Sequence, residues 1–379
     1  MAIGFPTKAN WAAGDVLTAS AMDDLAGTVN LLSNASAASG SQLISNAAGT
    51  SFAYQATPSA SNPVLNSAFQ IWQRGTSVAV AAGSNAYTAD RWSIISSGNA
   101  CTVSRQLTGD TTNLPFIQYC ARIQRNAGQT STQTIYYGNS FETINSLPFA
   151  GKTVTLSYYA RAGANYSSGS NGLSVALDSG TGTDQSITGT YTGLSSVATS
   201  SATLTTTWQR FTATGTVSSS ATEIAISPFY IPSGTAGAND YFEITGVQID
   251  IGSVALPFRT NQPTIATELA ACQRYYVRFG GASAYENFGS AFATSTTLAL
   301  CLINLPVTQR VAASAIDFST TALYEGIGFT AVTAYSINGA STNQVRVQAT
   351  TGGVLTVARP YDLLANNSTS AYIAFSAEL

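Results

Sequence analysis

Histidine is absent from this sequence of 379 residues, and its absence removes several kinds of catalytic site. Histidine is the usual base that activates serine and cysteine nucleophiles, and it is the commonest general base near neutral pH. Ser–His–Asp and Cys–His sites are therefore excluded. The scattered spacing of the cysteines predicts neither a disulfide framework nor a thiolate metal site. We interpret them as small apolar residues of a buried core: Cys101, Cys120, Cys272 and Cys301.

Glycoside hydrolysis needs only two carboxylates, and it is the enzyme class that the composition leaves open. The acidic side chains are sparse, and they lie in turn-like or strand-like sequence where polar residues are ordinary. No repeated coil motif indicates the β-helix of a polysaccharide depolymerase. We therefore expect a protein that is not an enzyme.

Carboxylates and backbone carbonyls can hold a structural calcium ion, which pins loops in some jelly rolls. If the chain holds one, we expect Asp90 and Asp250 to be ligands, because they lie near the ends of the long β-region. The alternative is that both carboxylates make hydrogen bonds at a turn or at a strand end. No other metal or cofactor is expected.

Aromatic rings that stack on sugar rings are the main device of glycan binding, with amide and carboxyl groups bonding the hydroxyls. Adjacent Tyr136 and Tyr137 must point to opposite faces of a strand, and we take Tyr137 as the outward ring. Other tyrosines lie beside loops rich in Gly, Ser and Asn. A structural role is the alternative for each of the selected residues, which are Tyr137, Tyr166, Tyr191, Tyr285 and Tyr361.

The charge composition limits the partners of this chain. Only 9% of the residues are charged, where ~25% is ordinary for soluble domains. Lys and Arg form no cluster, so we expect no nucleic-acid binding. No run of ~18 apolar residues is present, so we expect no membrane insertion. The opening residues lack the pattern of a signal peptide, which predicts synthesis in a cytoplasm.

Short segments of alternating apolar and polar residues predict strands between residues 62 and 258. Clusters of Gly, Ser, Asn and Asp separate them, and no helical period intervenes. Many short strands joined by turn-rich loops predict an all-β sandwich or jelly roll. The clearest segments are 154–160, 173–177, 208–214, 223–227 and 242–249.

A helix is predicted at 264–274, followed by a smaller β-domain at 275–379. Pro263 and Thr264 open the helix, and its apolar face contains Ile265, Leu269 and Cys272. Asn338-Gly339 and Gly352-Gly353 indicate hairpin turns, the second joining 345–349 to a strand at 354–357. The segment 371–379 reads as a last strand.

Residues 1–61 differ in pattern from the rest. A short apolar seam, spaced by three, four and three residues, follows helix-capping residues and predicts a helix that packs on identical neighbours. A single amphipathic helix is the alternative. Residues 33–61, rich in Ala, Ser, Asn and Gly, read as a linker. The seam consists of Met22, Leu25, Val29 and Leu32.

Several segments resemble bacteriophage tail-fibre and tail-appendage proteins that contain a jelly roll similar to carbohydrate-binding modules. The most diagnostic is 268–276 (ELAACQRYY), which resembles the junction between that jelly roll and a small β-domain. The resemblance implies a homotrimer docked through its N-terminus on the virion, with its β-domains pointing outward, and it identifies no receptor. We expect the partners to be other tail or baseplate proteins and a host cell-surface glycan. The other segments are 14–19, 62–75, 87–92, 147–157, 208–211, 247–258 and 375–379.

Our leading hypothesis is a virion structural protein of the tail, made in the host cytoplasm, that attaches to the host as a homotrimer. The predicted fold is all-β. It comprises an attachment segment with a short helix at 1–61, a jelly-roll sandwich at 62–258, a helical junction at 259–274 and a β-domain at 275–379. One alternative is a purely architectural virion part, such as a head fibre, a collar or a baseplate spacer. Another is a polysaccharide-degrading tailspike.

Overall fold

Strands dominate the residues that the computed structural model describes, which are 41–45, 52–56, 62–189 and 191–379. β1 (Ser41–Ser45) and β2 (Phe52–Ala56) pair as an antiparallel hairpin. The predicted apolar seam, Met22, Leu25, Val29 and Leu32, lies outside the described residues, and so does the rest of the attachment segment before Ser41.

Two six-stranded antiparallel sheets form a sandwich with jelly-roll connections. The chain crosses repeatedly between the sheets, and every pairing within them is antiparallel. The first sheet has the order β12 (Gln209–Thr216), β9 (Thr153–Ala162), β14 (Tyr241–Ile251), β7 (Tyr119–Arg125), β6 (Cys101–Leu107) and β3 (Ser77–Val80). The second has the order β11 (Ser195–Thr203), β10 (Gly172–Gly180), β13 (Glu223–Tyr230), β8 (Ile135–Ser140), β5 (Ser93–Ser96) and β4 (Ser84–Tyr87).

Alternation along the strands builds the sandwich core. Val154, Leu156 and Tyr158 of β9 are buried against the facing sheet, as a half-buried strand requires. A bulge interrupts β14 at Gly246, whose φ is +58°. A Cβ there would lie 2.8 Å from Ile117 and from Tyr159, so glycine is needed for both the conformation and the close approach.

A smaller β-region follows the sandwich. Its closed barrel has the order β16 (Asn287–Ala293), β17 (Leu298–Asn304), β21 (Gln344–Thr351), β20 (Phe329–Ala340), β19 (Thr321–Tyr324) and β22 (Pro360–Ala365). A three-stranded sheet of β15 (Tyr276–Gly280), β23 (Tyr372–Ser376) and β18 (Ala315–Ser319) accompanies it. The all-β prediction, with a jelly-roll sandwich and a smaller C-terminal β-region, is confirmed for the described residues.

The junction helix runs from Ile265 to Gln273, and Thr264 forms a reciprocal capping box with Thr267. Its predicted apolar face is partly wrong. Cys272 is buried, but Ile265 is 56% exposed, and Glu268 is buried instead. Glu268 accepts hydrogen bonds from the backbone of Asn66 (2.6 Å) and of Gln262 (2.9 Å), so the helix packs on the sandwich through a carboxylate. Shorter helical turns occur at Thr143–Ser146, Leu147–Phe149 and Gly169–Asn171.

Two predicted hairpin turns are wrong. Asn338-Gly339 lies inside β20, at a bulge that keeps the strand running to Ala340. Gly352-Gly353 follows β21, but residues 354–357 form no strand, and β21 pairs with β17 and β20 instead. A dipeptide that contains Gly can form a turn or a bulge, and the pairing of the strands in the closed barrel determines which of the two occurs.

Ion pairs connect the sandwich to the β-region that follows it. Glu378 pairs with Arg91 and with Arg74 (3.3 Å), and the Arg91 side chain is 2% exposed. Arg310 donates to Asp184 over 2.9 Å.

All four cysteines are buried free thiols without a disulfide bond, as predicted. No helix among the described residues is long and apolar enough to cross a membrane.

Candidate functional site

Three aromatic rings lie together on the outer surface of the barrel. Tyr324 ends β19 and Phe329 begins β20, and the two are paired in register. Their ring centroids are 4.7 Å apart and the planes are inclined by 26°. Tyr285 packs on the same phenylalanine at 5.5 Å. We call these three residues the barrel platform.

Strand alternation turns the platform outward. Leu323 is completely buried in the barrel core, so the side chain of the next residue, Tyr324, points to the opposite face. The exposed fractions of Tyr285 and Phe329 are 51% and 46%. Large apolar rings that remain in water in this way are typical of contact surfaces when they cluster.

Polar side chains continue the row of the platform across the barrel. Asp362 on β22 is the register partner of Tyr324, and Ser290 on β16 is the register partner of Asp362. Directly opposed residues of an antiparallel ladder project on the same face of the sheet. The exposed carboxylate of Asp362 therefore lies beside the ring of Tyr324, and the exposed hydroxyl of Ser290 lies one strand further along the same row. Both groups can bond hydroxyls of a ligand that extends along this row from the rings.

Hydrogen bonds hold the loop that joins the two platform strands. Glu325 accepts from the hydroxyl of Tyr361 (3.1 Å) and from Arg359 (3.2 Å), which ties the loop to β22. The hydroxyl of Tyr324 donates to the carbonyl of Gly326 over 2.8 Å. Ile327, at the tip of the loop, is 89% exposed. The rings are therefore presented by an anchored turn.

Four of the five tyrosines predicted to contact a ligand are buried, so the expectation that they face outward is wrong. Tyr137 stacks on Trp92 at 5.4 Å in the sandwich core, and burial raises its pKa far above the usual range. Hydroxyl hydrogen bonds explain why loop-adjacent tyrosines could be buried at little cost. The buried residues are Tyr137, Tyr166, Tyr191 and Tyr361, and Tyr285 is the exposed one.

The outward ring of the adjacent pair in β8 is Tyr136, which is 38% exposed. It packs on Phe229 of β13, its register partner, with ring centroids 5.3 Å apart. We call Tyr136 and Phe229 the sandwich pair. The sequence shows that one of the two rings in β8 faces outward, but we selected the wrong one. Alternation places the two side chains on opposite faces of the strand and does not show which face is toward the core.

Asp90 and Asp250 are buried, and protein donors engage both carboxylates. Asp90 accepts from the backbone and side chain of Gln73, at 2.9 and 2.5 Å. Asp250 accepts from Gln248 (2.8 Å) and from Arg259 (2.7 Å). Burial raises the pKa of Asp90 to about 6, against the opposing effects of Arg74 and Gln73. A calcium ion at either residue would have to displace these donors, and among the described residues no three side chains of the types His, Cys, Asp and Glu are grouped as metal ligands.

Arginines neutralise most of the buried carboxylates of the sandwich and its junction. Glu243 is completely buried between Arg122 (2.6 Å) and Arg161 (2.5 Å). Glu243 lies on β14 between β7 and β9, which carry the two arginines, so its carboxylate holds three neighbouring strands together. The other acidic residues paired with arginine in this part of the molecule are Glu142, Asp184, Asp240, Asp250 and Glu378.

A scan against models of protein families gives no match, and a search of curated proteins gives none either. Similar solved structures include one described as "CBM4 structure and function", at 22% identity and a TM-score of 0.25, covering 35% of this chain and 71% of that one. Another concerns carbohydrate-binding modules of the β-sandwich superfamily, at 10% identity and a TM-score of 0.29, covering 55% of this chain and 71% of that one.

A third similar structure is the enzymatically active domain of tailspike protein 4 from bacteriophage CBA120. It is 12% identical, with a TM-score of 0.31, and the match covers 50% of this chain and 21% of that one. At these values none of the three assigns a family or an activity to this chain.

Proposed function

We propose that the chain is a tail-fibre subunit of a bacteriophage that attaches the virion to a glycan on the host surface without cleaving it. The observation that carries the proposal is the barrel platform, where Tyr285 and Phe329 remain about half exposed and Tyr324 is the register partner of Asp362. An aromatic surface next to hydrogen-bonding groups suits the apolar face and the hydroxyls of a sugar.

The distribution of charge supports a neutral ligand. Only 9% of the residues are charged, and many of these are paired in the interior of the sandwich. The surface that remains is rich in hydroxyl and amide groups. Attachment to an uncharged glycan through such a surface would depend little on ionic strength, which suits work outside a cell.

In this proposal the protein is made in the host cytoplasm and works as a homotrimer on the virion. Residues 1–61 attach it to other tail or baseplate proteins, and the seam of Met22, Leu25, Val29 and Leu32 holds the trimer together. Light scattering on the intact protein tests this point. Replacing Leu25 and Val29 by Ser should convert a trimer to a monomer, and a wild-type monomer would contradict it.

The attachment itself is tested with fluorescently labelled intact protein and a panel of bacterial hosts. We expect staining of a susceptible host that is lost after periodate oxidation of its surface glycans. Tyr285→Ala combined with Phe329→Ala should abolish staining, and Tyr136→Ala on the sandwich should serve as the matched control. Staining that survives the double substitution would contradict the proposed site.

The same experiment separates the alternatives. An architectural part of the virion would stain no host, and its aromatic platform would be covered in the intact particle. A polysaccharide-degrading tailspike would release new reducing ends from capsule or lipopolysaccharide during incubation. We expect staining without such release.

A further inference from the structure

A cleft of about 490 Å³ opens between the sandwich and the junction helix. Its wall includes residues of the helical turns Thr143–Ser146 and Leu147–Phe149, the segment with Arg259, Asn261 and Gln262, and Ala271 near the end of the helix. Its volume lies within the range of about 300–1,000 Å³ that small-molecule sites occupy. It contains no residue of the barrel platform.

Part of the wall is apolar and aromatic. Phe141 and Phe149 meet edge to face at 6.4 Å, and both are buried behind the cleft surface. Tyr275 also lines the cleft, and the centroid of its ring lies 3.7 Å from the guanidinium carbon of Arg91. Ile144, at the rim, is 66% exposed. Such a wall suits the apolar face of a ring-shaped ligand.

Every charged group in the wall has an internal partner. Arg274 donates to both carboxylate oxygens of Glu142, over 3.0 and 2.9 Å. Arg259 pairs with Asp250 at 2.7 Å, and Arg91 pairs with Glu378. The cleft therefore offers no unpaired charge to a ligand, which favours an uncharged one.

Hydrogen-bonding capacity nevertheless remains. The amide side chains of Asn139, Asn145 and Gln262 also line the cleft, and amides can both donate to and accept from hydroxyls.

We propose that this cleft is a second binding site, for a neutral polyhydroxylated ligand such as a short saccharide. The aromatic and apolar wall would contact the ring faces. The amide side chains of Asn139, Asn145 and Gln262 would bond the hydroxyl oxygens. The inference goes beyond attachment through the barrel platform and does not depend on it.

Saturation-transfer NMR on the intact protein tests the site, with maltose, cellobiose, lactose and chitobiose as neutral probes and glucuronate as a charged one. The measurements use a background of Tyr285→Ala and Phe329→Ala, so that the platform contributes nothing. We expect saturable signals from at least one neutral disaccharide and none from glucuronate. The absence of any neutral signal would overturn the second site while leaving the platform untouched.

Substitutions in the cleft locate the signal. Ala271→Trp fills the space from the junction helix, and Ala266→Trp places the same ring on the exposed side of that helix. We expect Ala271→Trp to weaken binding at least tenfold and Ala266→Trp to leave it unchanged. Asn145→Ala, at the exposed rim, should weaken binding severalfold without affecting folding. Equal signals in all three variants would overturn the assignment to the cleft.

Discussion

In the sandwich, the rings of Phe69, Trp92 and Tyr137 pack on one another in the core, with centroids 4.9–6.2 Å apart. In the barrel, an equally close cluster lies on the outside. Many residues of the barrel core are small, such as Ala293, Ala299 and Ala349, because the interior of a six-stranded barrel is narrow. Aromatic rings therefore stabilise the core of the sandwich, whereas those of the barrel platform lie outside and are free to contact a ligand.

Charged side chains, like these aromatic rings, are more buried in the sandwich than on the barrel. Arg125 and Asp240 of the sandwich are completely buried, and Arg125 also donates to the carbonyls of Gln129 and Gly234. On the barrel, Arg359 is 53% exposed where it meets Glu325. The comparison indicates that the sandwich uses polar groups to fix its own structure, whereas the barrel keeps them accessible.

Breaking the buried pair of the sandwich should have the largest effect. Arg125→Ala leaves Asp240 buried without its cation, which we expect to lower the free energy of unfolding by about 3–5 kcal/mol. Urea denaturation followed by far-ultraviolet circular dichroism, which reports on the strands of both regions, measures the change. Arg359→Ala on the barrel is the matched control, and we expect it to cost less than about 1 kcal/mol. Equal losses would erase the distinction between the regions.

Breaking the ion pair between Glu378 and Arg91, which connects the two regions, should have the second largest effect. Glu378→Ala removes the carboxylate partner of buried Arg91, and we expect a loss of about 2–3 kcal/mol. The described tryptophans, Trp72, Trp92 and Trp208, lie before the junction helix, so their fluorescence reports on the sandwich. A lower midpoint in that signal would show that the link stabilises the sandwich. An unchanged midpoint would mean that the regions are energetically independent.

The third prediction concerns the pH dependence of the free energy of unfolding, to which Asp90, a buried carboxylate without a direct arginine partner, should contribute. Because burial raises the pKa of Asp90 to about 6, its protonated form is favoured in the folded state. Its contribution to stability is therefore present at low pH and is lost as the pH rises through about 6. Relative to Asp90→Asn, the wild type should lose about 1–2 kcal/mol between pH 5 and 7.5. A pH-independent difference would show that Asp90 titrates normally.

Metal removal should have the smallest effect, because protein donors occupy the oxygens of Asp90 and Asp250. We expect the melting temperature of the intact protein to be the same in EDTA and in millimolar calcium. A rise of several degrees with calcium would instead support the calcium site that the sequence left open.

Much of the sandwich could be predicted from the sequence because alternation is a local signal. The segment 154–160 falls inside β9, and the junction helix begins and ends within one residue of its predicted bounds. The barrel platform could not be predicted. Its exposure depends on which face of β19 meets a narrow core, and its assembly depends on register between strands. Tyr136 shows the same limit within a single strand.

The most direct test of the account is a calorimetric titration of the intact protein with glycan purified from a host that it stains. Wild type, Tyr285→Ala and Tyr136→Ala would be compared, since both substitutions remove an exposed tyrosine that packs on a phenylalanine with tilted rings. We predict that Tyr285→Ala weakens binding about tenfold or more, which corresponds to about 1.4 kcal/mol, and that Tyr136→Ala leaves it unchanged. Weakening by Tyr136→Ala alone would contradict the account and move the attachment site to the sandwich.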